Sequence, residues 1–369
     1  MNTQSEISTL LTERIAAGDF PSAVYLVGEM DEIVFLDALG NAVVEPQEIR
    51  ATTDTIYDLA SLTKVLVTGL ICAKLVEDDA IRPNDSVADH FVEFRSDEKR
   101  AITIADLLAH RSGLRAWLPF YLLTKDRSEI PRIIGAEPLA DPIGSRVVYS
   151  DLNFLLLTFL IEKVFGKTID LVADELIFNP LGLSVTGFNP PAILKPRIAA
   201  SEKGNVFEKN TCLESGFEFG DFRFRENVVW GEVHDGNCWF MNGISGHAGL
   251  FSTAVETFRI AQQFLPRRTV LLKPETCGLF TKNLTPNLNE ARSFAFQLAA
   301  TPDSTASAAL APDSFGHLGF TGTSLWIEPG TERVFILLTN RTHVHPLPFV
   351  IINSVRRRFH ELAASALTA

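Results

Sequence analysis

The chain has 369 residues, 46% of them hydrophobic, and a formal net charge of −12. This length and apolar content are enough for a large core and for two packed lobes. The acidic balance excludes an electrostatic footprint for nucleic acid or an anionic membrane surface. Residues 4–18 place Ile7, Leu10, Leu11 and Ile15 on one side and predict an amphipathic helix. No basic segment there leads into an apolar one, so the N-terminus does not read as a secretion signal. No uncharged apolar stretch reaches spanning length, and the expected location is cytoplasmic.

Next, "SAVYLVGEMDEIVFLDALG" (22–40) predicts two strands about a polar turn. Residues 61–77 carry few charges and predict a buried helix. "TIADLLAHRSGL" (103–114) predicts a short helix with Thr103 as N-cap and Gly113 as its stop. "SDLNFLLLTFLIEKVFG" (150–166) predicts a helix capped by Ser150 or Asp151 and ended at Gly166. Residues 216–227 alternate aromatic and polar side chains, as a strand or an ordered loop would. Strands return in "FGHLGFTGTSLWIEP" (315–329) and "ERVFILLTN" (332–340), and a last helix is expected over 347–364. Its basic run, Arg356-Arg357-Arg358, reads as a solvated face complementing the helix dipole.

Strands at both ends and helices between them predict an α/β (α+β) fold. An antiparallel sheet flanked by helices is built from residues 1–80 and 270–369, a mostly helical domain (81–269) is inserted, and a cleft lies between. The four cysteines, Cys72, Cys212, Cys238 and Cys277, form no C-x-x-C pair, which argues against a zinc ribbon or a dithiol redox site.

S-x-x-K occurs twice. Ser96 to Lys99 lies in a charged stretch and reads as surface, whereas Ser61-Leu62-Thr63-Lys64 heads an apolar helix. Residues three apart share a helix face, so Lys64 can reach the Ser61 hydroxyl. The helix N-terminus adds unpaired N–H groups and the positive end of the dipole. A lysine among apolar neighbours has its charged form disfavoured and becomes a usable base. Taken alone, the motif equally fits Ser61 as a plain N-cap with Lys64 reaching to solvent. Two further features bear on the choice. Tyr149 stands directly before a helix start and is followed by Ser150 and Asp151, and His317 opens a strand of apolar and small residues, with Gly319 allowing close approach.

In this order, Ser61-Leu62-Thr63-Lys64, Tyr149-Ser150-Asp151 and His317-Leu318-Gly319 resemble the S-x-x-K, Y-x-N and K-T-G or H-x-G motifs of the serine β-lactamase and penicillin-recognising superfamily. The closest likeness is to its class C-like and esterase branch. "LLAHRSGL" (107–114), "IGSRVVYSDLNF" (143–154) and "GHAGLFSTA" (246–254) also look like family stretches, so the likeness runs from about residue 20 to 360. It implies a serine acyl hydrolase in which Ser61 attacks a carbonyl and Lys64, assisted by Tyr149, takes the proton. The N–H groups of Ser61 and Phe320 would form the oxyanion hole, and Tyr149 would activate water for deacylation. Asp151, His317 and Gly319 would tune the site or contact the substrate. No metal or organic cofactor is implied.

Asp151 replaces the usual Asn and places a negative charge near Lys64. His317 and Leu318 replace a Lys and a Thr that help to hold a substrate carboxylate. These departures favour small-molecule esters, with β-lactams, D-amino-acid peptides and other amides as the alternative, and a low-turnover binding or scaffold protein as a third. The aromatics of 217–224, with Trp117, Trp230 and Trp239, suit either an apolar acyl pocket or core packing. His110 reads as a holder of loop backbone, and His234 and Asp235 as a structural turn, with a place on the pocket wall as the alternative. His343 and His345 lack the companions a metal site needs.

Overall fold

The structure, a computed structural model, describes residues 3–367. The N-terminal helix spans Thr3–Ala16, and β1 (Ser22–Glu29) and β2 (Glu32–Val43) form the expected hairpin. Short strands β3 (Ile49–Arg50), β4 (Tyr57–Asp58), β5 (Gly187–Phe188) and β6 (Leu250–Ser252) follow. The C-terminal part adds β7 (Gln297–Leu298), β8 (Phe315–Leu318), β9 (Ser324–Glu328) and β10 (Arg333–Thr339). The large sheet has the order β3-β2-β1-β10-β9-β8-β7 and is antiparallel throughout. Its centre joins the two chain ends, with Ala23 opposite Thr339.

Alternation along β1 explains why both faces are covered. Ala23, Tyr25 and Val27 share one face with Trp326, Phe335 and Leu337. They pack against Ile7 and Leu11 of the first helix and Phe359 and Ala363 of the last, Asn353–Ala366. Val24 and Leu26, with Leu325, Ile327, Ile336 and Leu338, face the main core, which includes Val65, Leu66, Phe258 and Phe264.

Several sequence expectations change in detail. The buried helix after Ser61 contains a π-helical stretch, Lys64–Gly69, before regular α-helix over Leu70–Glu77. The helix after Thr103 has the expected capping box but stops at Leu108, and the left-handed Gly113 (φ +80°) belongs to the following loop. The last helix begins at Asn353 because Pro346 and Pro348 cannot extend it backwards. Arg356 is not a solvated cation: it is 5% exposed and donates from Nη2 to the carbonyls of Gly319 and Thr323. Among the described residues, no helix is long and apolar enough to cross a membrane.

Two small pieces of fold bring the site together. β4 pairs with β6, so the segment leading to Ser61 lies beside the turn 245–249. Gly246 lets that turn sit on the helices: its N–H donates to Thr158 Oγ1, its carbonyl accepts from Thr68 Oγ1, and any Cβ would collide with both hydroxyls.

Candidate active site

Ser61 follows a residue in an unusual conformation. Ala60 has φ +47°, a left-handed setting that costs an L-residue energy and recurs at functional turns. From there the chain enters the helix with Lys64 on the same side as Ser61. Lys64 is fully buried. Its Nζ donates to Ser61 Oγ at 3.0 Å and to the His247 carbonyl at 2.8 Å, and pairs with Asp151 Oδ1 at 2.8 Å.

Two hydrogen-bond acceptors and a carboxylate at ion-pair distance around one Nζ suit an ammonium. This corrects the expectation of a lysine made neutral by its surroundings. Burial does push Lys64 towards the neutral form, but the Asp151 carboxylate and Tyr149 outweigh it and raise Lys64 above its ordinary value. The resting site is therefore an ion pair.

Tyr149 also lies here, with its ring 5.1 Å from Lys64 Nζ. Its oxygen is buried and makes no well-aligned hydrogen bond, although Lys64 and Ser61 are close enough to pull its titration down. Burial dominates and raises it, so the phenol is protonated at neutral pH. Tyr149 is thus a neutral phenol at rest.

His317 lies on β8 with its ring 5.7 Å from that of Tyr149. Nδ1 contacts the Leu318 carbonyl at 2.9 Å and so carries the proton, which leaves Nε2 a bare, buried acceptor. Burial, helped by Arg292 and Lys64, keeps the ring neutral. His110 has the opposite tautomer: its Nδ1 accepts the Ser150 N–H at 3.0 Å, which bears out its role as a holder of backbone. The N–H groups of Ser61 and Phe320 have no hydrogen-bond partner among the described residues.

These groups open onto a cavity of about 520 Å³. Ser61, Tyr149, Asp151, His317, Gly319 and Phe320 all line it. Gly319 is required: a Cβ there would strike Thr323 Oγ1 and lie 2.6 Å from the Leu59 carbonyl.

Sequence reading missed other wall residues. Phe207, Glu208 and Arg292 line the cavity, and so do His234 and Asp235, for which the wall was the alternative to the preferred structural turn. No local motif marks them; only the fold brings them here. Conversely, of the aromatics proposed for an acyl pocket, only Trp117 reaches the wall. Phe222 stacks on Tyr121 instead, Phe219 and Phe222 both meet Phe224 edge-on, and Trp230 donates to the Ile198 carbonyl.

The acids on the wall are unevenly poised. Asp235 Oδ1 contacts His247 Nε2 at 2.9 Å, and this histidine holds the Asp235 carboxyl well below the usual range against the effect of burial. Burial and the Asp235 charge push Glu208 up to about 7.

The comparisons agree with this arrangement. A sequence profile of the Beta-lactamase family matches residues 7–351. A protein of Escherichia coli (strain K12) named "Putative D-alanyl-D-alanine carboxypeptidase" is 31% identical, the match covering 92% of this chain and 82% of that protein. Two solved structures share the fold. "EstCE1, a hydrolase with promiscuous acyltransferase activity" has TM-score 0.73 and 18% identity, covering 100% of this chain and 99% of that one. "A class C beta-lactamase" has TM-score 0.74 and 14% identity, covering 99% and 96%. The chain belongs to the beta-lactamase family of serine hydrolases.

Proposed function

We propose that the protein is a carboxylesterase-type acyl hydrolase with Ser61 as nucleophile. The observation that carries this reading is the pairing of every cation at the site. Lys64 pairs with Asp151 at 2.8 Å, Arg292 with Glu290 at 2.7 Å and His234 with Glu202 at 2.8 Å. Among the described residues no free cation on the wall awaits a substrate carboxylate, while Trp117, Phe207, Leu318 and Phe320 offer apolar wall. On this reading the cleft lies between a 1–80/270–369 unit and an 81–269 unit, each of which contributes lining residues.

The chemistry follows from the ion pair. Lys64 hands a proton to Asp151 Oδ1 as it takes one from Ser61 Oγ, so the site's net charge does not change. Ser61 then adds to the carbonyl, and the Ser61 and Phe320 N–H groups receive the oxyanion. Tyr149 carries a proton to the leaving alcohol and then helps to draw one from the deacylating water.

Because the transfer within the pair takes up no proton from solvent, kcat/KM of the wild type is expected to stay flat through neutral pH. Asp151→Asn removes both the internal acceptor and the charge that raises Lys64. The lysine then titrates lower than in the wild type. Below that value the rate should climb about tenfold per pH unit, as the neutral amine becomes available. Superimposable pH–rate profiles for the two proteins would show that Asp151 is not coupled to the base.

A second reading rests on Asp235 and Glu208, whose carboxyls on the wall suit a substrate carrying an amino group, as in D-amino-acid amides or peptides. The name of the Escherichia coli relative points to the same substrate class. Turnover of p-nitrophenyl acetate and butyrate, D-alanine p-nitroanilide, a D-Ala-D-Ala peptide and nitrocefin, read with intact-mass detection of the acyl-enzyme, separates these readings. Esters are expected to lead by at least about tenfold in kcat/KM, which corresponds to ~1.4 kcal/mol of transition-state preference. Faster D-amino-acid amide turnover would transfer the assignment to the second reading. No adduct with any substrate would leave a binding protein.

A further inference from the structure

We propose that Asp58 is a positioning residue that aims the nucleophile by holding Ala60 in its left-handed conformation and by tying the Ser61 turn to the support of Lys64. The proposal rests on Ser61 being the nucleophile.

Asp58 is 6% exposed, forms no ion pair among the described residues and does not line the cavity. Its two carboxylate oxygens are both committed to backbone. Oδ1 accepts the Ala60 N–H at 2.9 Å, and Oδ2 accepts the His234 N–H at 2.8 Å. The first bond secures the residue at φ +47° immediately before Ser61. The second fixes the residue immediately before Asp235.

From Asp235 the contacts return to the nucleophile. Asp235 Oδ1 holds the His247 ring at 2.9 Å, the His247 carbonyl accepts from Lys64 Nζ at 2.8 Å, and Lys64 Nζ donates to Ser61 Oγ at 3.0 Å. Covalent bonds from Ser61 through Ala60 back to Asp58 close the ring. One carboxylate therefore sets both sides of the Ser61–Lys64 contact.

The same segment reaches the turn after β8. The Asp58 carbonyl accepts from Thr321 Oγ1 at 2.7 Å, and the Leu59 carbonyl from Thr323 Oγ1 at 3.0 Å. The turn bearing the Phe320 N–H is thereby held against the turn bearing the Ser61 N–H. Burial raises the Asp58 carboxyl, while the two N–H donors act in the opposite direction. A buried acid with no ion pair among the described residues and two backbone bonds is suited to fixing a shape.

The test is the rate at which a fluorophosphonate labels Ser61, alongside ester kcat and KM. Asp58→Asn keeps the size but gives one of the two N–H groups an amide donor in place of an acceptor. Labelling and kcat are expected to fall about 10- to 100-fold, with KM within about twofold, since Asp58 touches no substrate. Adding Ala60→Gly is the informative step, because glycine enters positive φ without being held there. Asp58→Asn/Ala60→Gly should return to within about threefold of Ala60→Gly alone. A purely structural role would not produce this rescue.

If Asp58→Asn does not fold, as judged by circular dichroism, Thr321→Val carries the test. It cuts one tie and should slow labelling about 3- to 10-fold. Wild-type labelling rates in the folded Asp58→Asn protein or in Thr321→Val, or an Asp58→Asn/Ala60→Gly protein no faster than Asp58→Asn, would overturn the proposal. An unlabelled wild type would instead overturn the hydrolase reading on which it rests.

Discussion

Ser61→Ala is expected to form no acyl-enzyme and to lower kcat/KM for the best ester by about 10⁴-fold or more. On the proposed mechanism the hydroxyl is the atom at which the bond to the acyl group forms, and among the described residues no second nucleophile stands at that point. Lys64 is buried beneath it, hydrogen-bonded to Ser61 Oγ and the His247 carbonyl and ion-paired with Asp151, and the Tyr149 phenol is held neutral. The fold should survive, because Ser61 Oγ accepts one hydrogen bond and the Ala60 turn is held independently by Asp58. Intact-mass spectrometry after mixing with a slow ester checks the adduct, and a stopped assay checks the rate. An equal adduct on Ser61→Ala would move the chemistry elsewhere.

Lys64→Met is expected to cost about 10²- to 10⁴-fold in kcat, the usual worth of a positioned base. The side chain is similar in length and wholly buried, so packing changes little. Charge changes a great deal: Asp151 loses its cation. Breaking a fully buried pair costs roughly 3–5 kcal/mol, and the 18% exposure of the Asp151 side chain brings the expected loss to about 2 kcal/mol. Adding Asp151→Asn removes the stranded charge. The double variant should regain most of the stability in a urea titration and none of the activity. If activity returned with stability, Lys64 would be a structural cation and not the base.

Much of this site was legible in the chain. Local signals carried it: the Ser61–Lys64 spacing before an apolar run, Tyr149 at a helix start, His317 in a glycine-bracketed strand. Each depends on a pattern over a few residues; Ser61, Tyr149 and His317 reach the cavity, and Lys64 lies buried beneath Ser61. What stayed hidden was set by distance along the chain. Lys64 looked like a desolvated base because its helix is apolar, yet its charge state is decided by Asp151, and its third acceptor is a carbonyl at His247. Arg356 looked solvated because it sits in a basic run, yet it is turned inward onto the carbonyls of Gly319 and Thr323. The aromatic run 217–224 left pocket and core packing open because alternation reveals a buried face without saying what is buried against it.

The pairing at the middle of the sheet bears on how the molecule is made. Ala23 finds its partner in Thr339, roughly 300 residues later. On a ribosome, β1 waits with one edge unsatisfied until β10 emerges, while the helices between have already begun to pack. Arg356 reaches the Gly319 carbonyl from the last helix, so the turn that presents the Phe320 N–H is secured later still. A product cut short before Asn353 would thus carry Ser61, Lys64 and Tyr149 without the brace behind the turn that presents the Phe320 N–H.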